Sequence, residues 1–271
     1  MKRVLSAAVF LPIFWVIVKK LGPLPYQILM VAAALVALVE LYRLAARQGH
    51  RCHRIVGGFV VLLLLASFAI PRVRLEYALA FAVLTLPLAA LWRGGPWKTA
   101  LGDAGVTFFI SCFIGVPFGY LLRLRMLGPL AGGGETGSDL VFLLFCVVWA
   151  SDMFALYVGS TLGRRPLSPS VSPRKTVEGA IGGILGALTA AFVARAWFMH
   201  SLTVVDCIAL GIVLGVVGIL GDLVESMLKR GADVKDSAAL VPGHGGILDR
   251  VDSLLYAAPV LYYYYLLVMR T

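Results

Sequence analysis

The chain has 271 residues, of which 60% are hydrophobic and only 14% charged, with a mean hydropathy of +0.92. A soluble domain of this length could not cover its surface with so few charges, so that class is excluded. The formal net charge of +10 comes without any nucleic-acid-binding motif, so no nucleic-acid partner is expected.

A membrane-crossing helix needs roughly 20 mostly apolar residues. Taken in order, such runs fall at about 4–19, 24–44, 55–70, 75–92, 103–122, 139–161, 177–198, 203–228 and 249–268. No strict alternation of the kind a β-barrel requires runs along the chain. The expected fold is therefore all-α: a polytopic helical membrane protein with about nine transmembrane helices. The first run follows Met1-Lys2-Arg3 and has no small-x-small site before Lys19-Lys20, so it reads as a retained helix rather than a signal peptide.

Charge orients this bundle. With the N-terminus in the cytoplasm, 16 of the 24 Lys and Arg residues fall on the cytoplasmic side, as the positive-inside rule favours. The expected location is thus the plasma (inner) membrane, multi-pass, with the two most polar connections, 162–176 and 228–249, facing the cytoplasm.

The chain divides unevenly. Residues 1–135 are hydrophobic spans with short basic loops, whereas residues 136–271 hold nearly all the unusual polar positions and form the expected catalytic region. Cys52, Cys112, Cys146 and Cys207 are dispersed, without metal or disulfide spacing. His50-Arg51-Cys52-His53 is crowded by arginine and reads as a basic loop rather than a zinc site. The Gly-rich stretch 128–137 lacks the Gly-Lys-Ser/Thr ending of a Walker loop and reads as a connector.

Three groups of residues carry chemistry. Asp152 lies near the middle of the sixth run, where an ionisable group costs a few kcal/mol and must face the protein interior or a polar cavity. Next, Gly163-Arg164-Arg165 leads into Ser168–Gly179, where prolines oppose helix and Ser172 or Thr176 can cap the helix that follows. Arg174 and Lys175 beside that helix start add to its pull on anions. Gly179, Gly182, Gly183 and Gly186 beyond it suit close helix packing.

The third group is the segment from Ser226 to Asp252. Asp222, Ser226 and Lys229 share a face at the end of the eighth run, and Asp249, Asp252 and Tyr256 share one at the start of the ninth. Two acidic helix ends joined by a polar loop can converge on one divalent cation. The turn Pro242-Gly243-His244-Gly245-Gly246 lets backbone approach a phosphate closely.

Ser226-Met227-Leu228-Lys229-Arg230, Lys235-Asp236, Pro242–Gly246 and Leu248-Asp249-Arg250-Val251-Asp252 together resemble the signature of the phosphatidate cytidylyltransferases, or CDP-diacylglycerol synthases. Ser151-Asp152, Gly163-Arg164 and Ser172–Gly179 resemble that family's upstream elements. The motifs lie in the C-terminal half; the N-terminal half resembles the family only as spans.

The resemblance implies transfer of the cytidylyl group of CTP to phosphatidic acid among membrane lipids, giving CDP-diacylglycerol and pyrophosphate, with Mg2+ required. It implies Asp222 and Asp249 as metal ligands, with Lys229, Arg230, Lys235 and Arg250 neutralising phosphates. Asp152, Ser172, Arg174, Lys175, Thr176, His244, Gly245 and Gly246 would contact substrate, and Asp236 and Asp252 would orient the ligands. The oligomeric state is left open, a homodimer included. An anion transporter would place its site at the midplane between repeats, which this sequence lacks; a lipid kinase would release no pyrophosphate.

Overall fold

The computed structural model describes residues 12–128, 136–234 and 246–270. After a helical stretch over residues 12–19, eight helices follow: α1 (Pro23–Arg47), α2 (Arg54–Ala69), α3 (Leu75–Arg93), α4 (Trp97–Arg125), α5 (Thr136–Leu162), α6 (Val177–Trp197), α7 (Val204–Gly231) and α8 (Leu248–Tyr264). A π-helical turn, Tyr265–Met269, extends α8. Seven of these are long and apolar enough to cross a membrane, and the chain is an integral membrane protein.

The expected nine spans thus meet seven helices of sufficient length among the described residues. The third run forms α2, whose 16 residues reach about 24 Å at ~1.5 Å per residue, less than the hydrocarbon thickness. Half of the first run, residues 4–11, lies outside the described residues. The connection 162–176 also differs from a plain loop. It folds into a small antiparallel hairpin, β1 (Pro166–Ser168) and β2 (Ser172–Thr176), which pairs Pro166 with Thr176 and Ser168 with Ser172. The fold is therefore nearly, rather than wholly, α.

One apolar core runs through the molecule from Phe14 to Tyr265, drawing Leu41 from α1, Phe118 from α4, Leu144 from α5, Leu214 from α7 and Leu261 from α8. It crosses the division at residue 135, so the N-terminal spans and the C-terminal region share their packing. A smaller cluster joins α2, α3 and α4 around Leu64, Ala82 and Leu86. Exposed Leu, Ile, Val and Phe side chains cover the outer faces, as lipid contact demands.

The most extensive packing is α5 on α6, and glycine is its cause. A Cβ at Gly182 would come within 2.6 Å of Val158 Cβ, and one at Gly186 within 2.7 Å of the Ala150 carbonyl oxygen. Without hydrophobic force between helices in lipid, such backbone proximity supplies the van der Waals contact that holds them. It also fixes Ser151 beside Gly183.

The polar connections gather at one end of the bundle. Arg93 Nη2 donates to the Cys52 carbonyl at 3.0 Å, Gln48 Nε2 to the Leu228 carbonyl at 3.5 Å, and Arg230 Nε to the Val171 carbonyl at 3.2 Å. The loops after α1, α3, β1 and α7 therefore lie together, as the alternating topology requires. His50-Arg51-Cys52-His53 is held there by α4: the Arg51 amide donates to Asp103 at 2.9 Å and the His53 amide to Thr107 at 3.1 Å. Burial raises the Cys52 thiol pKa, and burial with the nearby Arg93 lowers that of His53. At the other end, Arg125 Nη2 donates to the Leu21 carbonyl at 3.2 Å and Lys19 pairs with Asp139.

Candidate active site

The site forms where the hairpin, α7 and α8 meet at the polar end. The hairpin is fastened first. Glu178 accepts hydrogen bonds from the Arg164 and Arg165 amides at 3.0 and 3.2 Å, and the Val177 amide donates to the Arg165 carbonyl at 2.9 Å. Thr176 caps α6, its hydroxyl accepting from the Gly179 amide at 3.1 Å. Of the two capping residues the sequence offers, Thr176 is the one used. Ser172 instead opens β2.

This anchoring sends Lys175 across to α7. Its Nζ lies 2.6 Å from Asp222 Oδ2 and 3.4 Å from Ser226 Oγ, so the Asp222/Ser226 face meets the hairpin directly. Arg230, one turn on, docks the hairpin tip through Val171 while keeping its guanidinium exposed. Arg174 is exposed beside it. Two cations of the group are thus committed to protein contacts, while Arg174 faces outward.

α8 enters beside α7 through a second close approach. A Cβ at Gly221 would meet the Asp252 carbonyl oxygen at 2.7 Å and Tyr256 Cδ2 at 3.0 Å. Glycine at 221 lets the backbone carrying Asp252 lie against the turn carrying Asp222. Three carboxylates then converge: ligand oxygens of Asp222, Glu225 and Asp252 lie within 4.8 Å of one another. Glu225 and Asp252 are buried and Asp222 half-buried. Asp152 completes the group from α5. It is exposed, and it feels the charges of Asp222, Asp252 and Lys175.

Lys229 holds the adjacent corner. Its ammonium lies 2.5 Å from Glu225 Oε2 and 2.7 Å from Asp249 Oδ1, while Asp249 Oδ2 accepts from the Gly246 amide at 2.8 Å. Asp249 is therefore engaged by lysine, by backbone and by the Glu225 side chain, and the carboxylates that lie within reach of Asp222 are Glu225 and Asp252. The sequence reading paired Asp222 with Asp249, gave Asp252 an orienting part, and missed Glu225. The signal for Glu225 was present: an acid one turn from Asp222 inside an apolar run. Arg250 is exposed at the start of α8. Lys235, Asp236, His244 and Gly245 lie outside the described residues.

Crowded carboxylates repel unless protons or cations intervene, and an all-oxygen donor set suits a hard divalent ion. Lys175 and Lys229 offset part of the negative charge, and the three clustered acids fit a metal ion chemically. Hydrogen-bond donors at the helix start and the hairpin cations add attraction for phosphate.

Comparison with known proteins agrees with this chemistry. The model of the cytidylyltransferase family matches residues 1–268. A phosphatidate cytidylyltransferase of Bacillus subtilis is 37% identical over 270 residues, spanning 96% of this chain and 94% of its own. A protein of the same name from Staphylococcus saprophyticus is 30% identical over 96% of both chains, and one from Synechocystis is 46% identical over 135 residues, 49% of this chain and 45% of its own. The match runs through the N-terminal spans as well as the polar end, and the chain belongs to the cytidylyltransferase family.

Proposed function

We propose that the protein transfers the cytidylyl group of CTP to phosphatidic acid, forming CDP-diacylglycerol and releasing pyrophosphate. The observation that carries this reading is the convergence of Asp222, Glu225 and Asp252 beside Lys175 at the polar end of a membrane bundle. A phosphate oxygen of phosphatidate bonds to the α-phosphorus of CTP as the bond from that phosphorus to the β-phosphate bridging oxygen breaks. The acceptor phosphate is already largely ionised near neutral pH, so the protein need supply positioning and charge neutralisation rather than a strong base.

Mg2+ is the cation proposed here, with Asp222 and Asp252 as ligands and Glu225 beside them; bound, it would neutralise phosphate charge. Asp249 is then assigned to fixing Lys229, in place of the metal role its spacing first suggested. Lys229 keeps the acidic group in register. Lys175 holds Asp222 and the hairpin until phosphate arrives, and Arg174, Arg230 and Arg250 offer exposed cations to CTP or phosphatidate. Asp152 limits how anionic groups enter the cleft. Lys235, Asp236, His244 and Gly245 belong to the same signature; on that ground Lys235, His244 and Gly245 are assigned to the nucleotide phosphates and Asp236 to orienting the groups around them. Catalysis thus rests with residues 136–271, and residues 1–135 support them.

The proposed topology has nine membrane segments, with the polar end in the cytoplasm of a plasma membrane, where CTP is available. The Lys/Arg bias supports it. Pyrophosphate release from CTP, measured with purified protein with and without phosphatidate, tests the function. Release dependent on both phosphatidate and Mg2+ is expected. Phosphorylated lipid without pyrophosphate would replace the reading with a kinase.

A further inference from the structure

We infer that Glu40, in the N-terminal half of the chain, is a positioning residue for the acidic site, an inference that rests on the cytidylyl-transfer reading above. Glu40 lies in α1 and is 0% exposed. Its Oε1 accepts from the Ile247 amide at 3.0 Å and its Oε2 from the Leu248 amide at 2.9 Å, bonds that span 207 and 208 residues of sequence. Both oxygens of one buried carboxylate are therefore spent on consecutive backbone donors at the start of α8.

α8 needs such a partner. The first amides of any helix have no intrahelical acceptor, and most helices supply one from a Ser, Thr, Asp or Asn just ahead. Here the residue before the helix is Ile247, already helical at φ −67° and ψ −38°, and its side chain caps nothing. The cap comes instead from another membrane segment, which brings a carboxyl group to the positive end of the helix dipole. An intramembrane carboxylate is costly, and these two donors compensate it.

The consequence for the site is geometric. Asp249 follows Leu248 directly and Asp252 lies one turn on, so the rotation and height of this first turn decide where both carboxylates point. Glu40 fixes that turn against α1, Gly221 admits it against α7, and Lys229 receives Asp249. Glu40 acts on the site through the backbone it holds.

The test uses the full-length protein in detergent or proteoliposomes with Glu40→Gln and Glu40→Asp. Gln keeps one carbonyl acceptor but sets an amide donor against the second backbone N–H; Asp keeps the charge one methylene short. In Glu40→Gln we expect kcat per folded molecule to fall about ten- to a hundredfold, the usual range for residues that orient ligands. Half-maximal Mg2+ should rise several-fold and KM for CTP change little, with Glu40→Asp recovering part of kcat. Amide exchange over residues 247–252 should quicken in Glu40→Gln. Unchanged kcat and Mg2+ dependence in both variants, or unchanged exchange, overturns the inference. If Glu40→Gln does not fold, the same measurements on Glu40→Asp decide. Exchange reports the clamp without reference to catalysis, so it separates this inference from the site reading, which Asp222→Asn tests by itself.

Discussion

Helices α7 and α8 run antiparallel, and their two ends treat acidic residues in opposite ways. At the end away from the hairpin, Asp206 is satisfied completely: Oδ2 accepts from the Thr203 amide at 2.9 Å and its hydroxyl at 2.6 Å, and Oδ1 from Tyr264 at 2.7 Å. Thr203 returns a bond to the Asp206 amide, closing a capping box. One carboxylate meets three neutral or backbone donors, and the result is a joint. At the hairpin end, Asp222, Glu225 and Asp252 crowd together with Asp152 near them, and two lysines are shared among the acids. The same pair of helices thus carries a structural carboxylate at one end and, among the described residues, more acids than lysine partners at the other. Surplus charge in a low-dielectric setting is costly, and a bound cation removes the cost.

Replacing the acids one at a time breaks or sharpens this contrast. Asp222→Asn and Asp252→Asn should each reduce CTP-dependent pyrophosphate release by at least ~10²-fold, in line with loss of a charge that stabilises the reacting phosphates, while the detergent-solubilised protein keeps its elution profile and helical circular dichroism. Wild-type turnover in both at saturating Mg2+ would remove the metal assignment. Asp249→Asn should also impair turnover, by removing one of the two carboxylates that hold Lys229, but its Mg2+ requirement should shift less than that of Asp252→Asn. An equal or larger shift would return Asp249 to the metal.

Gly221→Ala tests the close approach that joins the helices. A methyl facing the Asp252 carbonyl oxygen at 2.7 Å forces the backbones apart, and overpacking of this kind costs about 1–3 kcal/mol. Thermal unfolding should shift downward and kcat should fall; an unchanged melting temperature with full activity would mean that α8 does not lean on α7 at this point. The smallest effect belongs to the far end. Thr203→Ala should cost about 1 kcal/mol as a lost cap and leave kcat and Mg2+ dependence unaltered. A catalytic defect there would show that the two ends are coupled.

Much of this arrangement is legible in the sequence, and the reasons are local. Helical spans announce themselves by apolar length, the α5–α6 seam by its glycines, and the Asp222/Ser226/Lys229 face by helical spacing. A cap at Ser172 or Thr176 is legible too, and the structure uses Thr176. What spacing does not reveal is pairing between distant segments. The sequence brings Asp222 and Asp249 equally to mind, and only the seating of Asp252 on Gly221 decides which acid lies nearest. The hairpin of β1 and β2 was hidden by its brevity and prolines. Glu40 was hidden differently. It stands between Val39 and Leu41 within an apolar run, and the reasoning that singled out Asp152 applies to it equally. Its partners, two backbone amides on the last helix, have no signature in any sequence.

The contact between Glu40 and α8 also orders events during synthesis. A chain emerging N-terminus first places Glu40 in the membrane about two hundred residues before Ile247 and Leu248 exist. Until the last helix arrives, that carboxylate lacks the two donors that offset its burial. A nascent or truncated chain lacking α8 therefore lacks these two backbone donors to its first long helix, and completion of the catalytic end supplies them. The same bond that seats the acids of α8 distinguishes, within the bilayer, a finished chain from an unfinished one.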